Sequence, residues 1–107
     1  MDLGLANKVV MITGASRGLG RAMAEALGAE GARLSLCARG AEALEKAAGE
    51  LRARGYDVDA EAVDVADAAA AQRWVEGVAK RMGGVDVLVN NAGGARMGAL
   101  ADLDEAA

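Results

Sequence analysis

Thr13-Gly14-Ala15-Ser16-Arg17-Gly18-Leu19-Gly20 gathers glycines, hydroxyls and a guanidinium into one short turn. It follows the apolar run Val9-Val10-Met11-Ile12 and opens into a helical pattern that puts Leu19, Ala22, Met23, Ala26 and Leu27 on one face. A buried strand, a glycine-rich turn and a helix start together make an anion site. The first amides of a helix have no internal partner, the helix dipole adds partial positive charge, and glycines let a phosphate come close. A plain strand-to-helix connection would use similar residues, but the position between strand and helix favours a dinucleotide-binding turn.

Composition removes several other chemistries. The 107 residues include no histidine, so a His-dependent triad, a His-ligated zinc and a His general base are all excluded, and no metal ligands are assigned. The single cysteine cannot form an internal disulfide, which points to a reducing, cytoplasmic setting. Neither a signal peptide nor a membrane span is expected, because Asp2 and Lys8 are followed by no long apolar stretch. A net charge of −4 speaks against nucleic acid as a partner. Hydrophobic residues make up 53% of the chain and aromatics 2%, so the core must be built from small aliphatic side chains.

The elements that must position the turn alternate along the chain. Strands are expected over Val9–Ile12, Arg33–Cys37, Asp57–Val63 and Val85–Asn90. Helices are expected over Leu19–Glu30, ended by Gly31, over Ala41–Arg54, ended by Gly55, and over Ala68–Met82. The second helix carries Leu44, Ala47, Ala48 and Leu51 on one face. The third has Asp67 as its N-cap and a stripe of Ala71, Trp74, Val75, Val78, Ala79 and Met82. Such alternation implies a parallel sheet with right-handed crossovers.

Strand character sets the order. The first and fourth strands are unbroken apolar runs, as expected of strands covered on both faces, whereas Asp57-Val58-Asp59-Ala60-Glu61-Ala62 alternates like an edge. The order 3-2-1-4 follows, with the ligand crevice between strands one and four. The expected architecture is therefore α/β, the N-terminal portion of a Rossmann-type doubly wound sheet, with residues 1–107 forming part of one dinucleotide-binding domain. Right-handed crossovers put the first two helices on one face and the third, almost alone, on the other. Were the chain to end at Ala107, an open apolar patch and a free strand edge would predict marginal stability, aggregation or self-association through the incomplete sheet.

These residues resemble the short-chain dehydrogenases/reductases. The family's Thr-Gly-x-x-x-Gly-x-Gly motif matches Thr13 to Gly20, its Asn-Asn-Ala-Gly motif stands at Asn90-Asn91-Ala92-Gly93, and its Asp after the third strand is Asp64, followed by Val65. The resemblance implies that Ser16, Arg17, Gly18 and Leu19 surround the cofactor phosphates, while Gly14 and Gly20 allow the turn and its close packing. It implies that Asp64 accepts a hydrogen bond from the adenine amino group, with Val65 contributing backbone. Asn90, Ala92 and Gly93 would line the crevice beside the adenosine ribose and diphosphate. Asn91 and Thr13 would be structural, tying strand ends together.

Charge selects the cofactor. Enzymes preferring NAD place an acid near the end of the second strand, about twenty residues beyond the turn, to bond the ribose 2′-hydroxyl. Here that stretch reads Cys37-Ala38-Arg39-Gly40, with no acid before Glu42. Arg39 and Arg17 can converge on a 2′-phosphate, so NADP is expected over NAD. Cys37 reads as a small buried side chain at the strand end.

The family's catalytic Ser, Tyr and Lys, the last two as Tyr-x-x-x-Lys, lie well beyond the Asn-Asn-Ala-Gly motif, and none can be placed here. Tyr56 has Ala60, not lysine, four residues on. Two hypotheses follow. The first is the NADP-binding portion of an oxidoreductase that moves hydride between NADPH and a carbonyl or alcohol, with the 107 residues alone inactive. The second is a stand-alone dinucleotide-binding or interaction module without catalysis. The stretch Asp102-Leu103-Asp104-Glu105-Ala106-Ala107 reads as a helix beginning rather than a domain ending, which favours the first. A phosphate-hydrolysing P-loop protein ranks a poor third, because Gly20 is followed by Arg21-Ala22 and no Gly-Lys-Ser/Thr occurs.

Overall fold

A computed structural model describes residues 4–91. Four strands, β1 (Val9–Thr13), β2 (Arg33–Ala38), β3 (Val58–Ala62) and β4 (Val87–Val89), alternate with three helices, α1 (Gly18–Ala29), α2 (Ala41–Ala53) and α3 (Ala68–Met82). All pairings are parallel and the order is β3-β2-β1-β4, the doubly wound arrangement expected from the strand patterns. The register sets Thr13 beside Cys37 and Ile12 beside Val89, so β1, β2 and β4 finish at the same edge of the sheet.

Alternation along β1 divides the core into two layers, because successive side chains leave opposite faces of a strand. Val10 and Ile12 pack with Leu34 and Leu36 against α1 and α2, which contribute Ala24, Leu44, Ala48 and Leu51. Val9 and Met11 pack with Cys37 against Ala71, Trp74, Val78 and Met82 of α3. Each large aliphatic side chain buried this way contributes about 1.5–3 kcal/mol relative to leaving it in water. The crossover rule thus places α1 and α2 on one face and α3 on the other.

Local chemistry explains the helix ends. Asp67 caps α3, its Oδ1 accepting from the Ala69 and Ala70 amides at 3.1 and 3.2 Å. Gly83, with φ of 83°, takes the left-handed turn that stops the helix. On the outer part of the α3 face, the buried Ser35 hydroxyl donates to Asp59 Oδ2 at 3.0 Å, and Arg81 donates to the same oxygen at 2.9 Å. That arrangement satisfies a polar group inside β2 and places charge on the edge strand β3, which blunts it against stray pairing.

Two expectations are corrected. The buried side of α1 is Gly20, Ala24 and Gly28, flanked by Met23 and Leu27, whereas Leu19 is 68% exposed and Ala22 and Ala26 face solvent. Small residues win because α1 lies so close to its neighbours: a Cβ on Gly28 would sit 2.6 Å from the Tyr56 ring. The fourth strand is also shorter than Val85–Asn90 and is half-exposed rather than covered on both faces. Among the described residues its only ladder partner is β1, and it lies at the edge of the sheet.

Candidate functional site

At the carboxyl edge of the sheet the chain leaves β1 through Gly14 and enters α1 through Gly18, both in the left-handed region with φ of 62° and 61°. These two reversals bend the backbone into a cradle. Gly20 then lets α1 approach it from beneath. A Cβ at that position would lie 2.6 Å from Asn91 Nδ2 and closer still to the Gly14 carbonyl oxygen. Arg17 takes the N-cap position of α1 with an extended backbone, and no side chain caps the first turn. Its amides are left available to an outside acceptor.

The β4 end locks this turn in place. The Asn91 amide donates to Thr13 Oγ1 at 2.8 Å, and Asn91 Nδ2 donates to the Gly14 carbonyl at 3.3 Å. Thr13 Oγ1 lies 3.4 Å from Asn90 Oδ1. The Ala15 amide donates to the Cys37 carbonyl at 3.1 Å, tying the same turn to β2. The segment after β4 therefore holds the glycine turn through the Thr13 and Asn91 side chains, and β2 holds it through a backbone bond.

A cavity of about 770 Å³ opens between the α1 turn, the end of β2, the start of α2 and the loop after β3. This is the size of a small-molecule or cofactor site. Gly14, Ser16, Arg17 and Gly18 form one wall, Arg39 the second, and Asp64 and Val65 the third. Residues that the sequence assigns to three separate landmarks thus meet at one cavity. Leu19, Gly20 and Asn90 stand outside its wall: Gly20 lies under the turn, and Asn90 is beside Thr13. Ala92 and Gly93 lie outside the described residues.

The cavity also takes in Cys37, Ala38, Gly40, Ala43, Val63 and Asn91. The start of α2 carried no chemical signal in the sequence, since Gly40 and Ala43 bring no functional group. What marks them is position, because the helix after β2 must begin at the same edge as the helix after β1. Gly40 is the N-cap of α2 and, like Arg17, provides no side-chain cap.

Charge is unevenly placed around this opening. Among the described residues, ion pairs are made by Arg21, Arg33, Arg52, Arg54 and Arg81, which leaves Arg17 and Arg39 uncommitted beside the cavity. Asp64 holds its own loop, its Oδ1 accepting from the Ala66 amide at 3.0 Å. Burial pushes the Cys37 thiol up to about 12, outweighing a hydrogen bond from the Gly14 backbone that pulls the other way, while Glu61 adds to the rise. At neutral pH Cys37 is a protonated, inert part of the wall.

The residues present fit a dinucleotide. Helix starts without side-chain caps and free guanidinium groups suit phosphates, a cradle closed to any Cβ at Gly20 suits close backbone approach, and Asp64 supplies an acceptor at the far wall.

Comparison with known proteins agrees with this geometry. The chain is 47% identical over 98 residues to the ketoacyl reductase 1 assigned to the granaticin polyketide synthase of Streptomyces violaceoruber, covering 92% of this chain and 36% of that protein. It superposes with a TM-score of 0.83 and 45% identity on L-sorbose reductase from Gluconobacter frateurii, solved with NADPH and L-sorbose, covering 88% of this chain and 36% of that one. A short-chain dehydrogenase/reductase from Burkholderia phymatum, solved with NAD, matches with a TM-score of 0.76 and 34% identity over 78% of this chain and 30% of its own. The chain spans roughly a third to two fifths of the length of the curated relatives it matches, 31% at one end and 43% at the other. The family model for short chain dehydrogenase matches residues 8–107, and the chain belongs to that family.

Proposed function

We propose that this chain is the NADP(H)-binding portion of an oxidoreductase that transfers hydride between NADPH and a carbonyl or alcohol substrate. The observation that carries the cofactor preference is the pair of uncommitted arginines, Arg17 and Arg39, flanking one cavity, with Ala38 where an NAD-preferring enzyme would place an acid. A 2′-phosphate gives a guanidinium a charge-assisted, two-pronged acceptor, whereas a ribose 2′-hydroxyl leaves it without a charge partner.

In this reading Ser16, Arg17, Gly18 and Leu19 hold the phosphates, and Gly14 and Gly20 shape the turn. Asp64 and Val65 receive the adenine. Asn90, with Ala92 and Gly93, borders the ribose and diphosphate. Asn91 and Thr13 keep the turn in register with the crevice. The nicotinamide supplies the hydride when bound, and this chain's residues bind and orient it. The proton-transferring Tyr-x-x-x-Lys pair of the family has no counterpart here, since Ala60 follows Tyr56 by four. Relatives solved with NADPH and with NAD support a pyridine dinucleotide as ligand, and the arginine pair favours NADP.

Calorimetric titration of the chain with NADPH and with NADH tests the proposal. Tighter binding of NADPH, lost in Arg39→Ala, supports it. Equal affinities, or an Arg39→Ala variant that keeps the preference, would overturn the NADP assignment.

A further inference from the structure

We draw no further inference here: the strongest candidate, the half-buried apolar surface to which Val75 of α3 and Val85 and Leu88 at the edge strand β4 contribute, is a face without a partner among the described residues, and nothing in the structure shows what covers it.

Discussion

Asn91 and Gly14 are 77 residues apart in sequence, yet the Asn91 side chain donates to the Gly14 carbonyl at 3.3 Å. The Asn91 amide meanwhile donates to Thr13 Oγ1 at 2.8 Å. The glycine turn therefore takes its shape from β4 as well as from its own residues. A phosphate cradle made of backbone needs such support, because glycines alone would leave it many conformations.

Thr13→Val tests this clamp. Thr13 is fully buried, so the change removes the acceptor while keeping the volume. Leaving the part-buried Asn91 amide without a partner costs about 1–3 kcal/mol. Urea denaturation is expected to show that loss, together with weaker NADPH binding. Unchanged stability and affinity would mean that the turn holds itself.

Gly20→Ala tests the close approach beneath the turn. The added Cβ meets the Gly14 carbonyl and lies 2.6 Å from Asn91 Nδ2, so α1 or the turn must shift. Overpacking of this kind costs about 1–3 kcal/mol, and NADPH affinity is expected to fall with it. Gly49→Ala is the control. Gly49 is exposed inside α2 with no atom near its would-be Cβ, so alanine there is expected to stabilise the chain by about 0.5–1 kcal/mol without changing cofactor binding.

Cofactor choice is expected to follow the end of β2. A hydrogen bond to a charged group is worth about 1.5–3 kcal/mol, so Arg39→Ala is expected to weaken NADPH binding roughly 10- to 100-fold and leave NADH nearly unchanged. Ala38→Asp in that background puts a carboxylate on the cavity wall and is expected to turn the preference toward NADH. Ratios of dissociation constants for the two cofactors, measured for each variant, read this directly.

Cys37 carries a pH dependence whose sign is set by burial. Its thiol rises from 9.0 to about 12 in the fold, so between those values the unfolded chain has lost a proton that the folded chain keeps. Its contribution to stability therefore falls as pH rises through that window, by up to about 1.4 kcal/mol per pH unit. Cys37→Ala is expected to flatten that part of the stability profile. The native thiol should resist iodoacetamide at pH 8 and react on unfolding. Fast alkylation of the folded chain would contradict the buried placement.

Legibility in the sequence followed the kind of signal. The start and buried face of α3 are readable, because Asp67 and the Trp74-centred stripe act locally. The buried face of α2 was equally plain, since Leu44 and Leu51 mark it. α1 misled because its inner face is chosen by how closely backbone can approach, and Gly20, Ala24 and Gly28 carry little hydrophobic signal. The exposure of β4 depends on which elements lie beyond it, which periodicity within the strand does not encode. The meeting of Arg17, Arg39 and Asp64 followed from strand order, whereas Gly40 and Ala43 joined them through position alone.

The proposed function requires a dinucleotide to occupy the cavity at the carboxyl edge of the sheet. Amide chemical-shift mapping of the isotope-labelled chain during NADP titration tests it most directly. Saturable shifts are expected at Gly14, Ser16, Gly18, Arg39, Asp64 and Val65, with Tyr56 and Asp57 at the opposite edge unmoved. Shifts confined to that opposite edge, or none at millimolar NADP, would contradict the account.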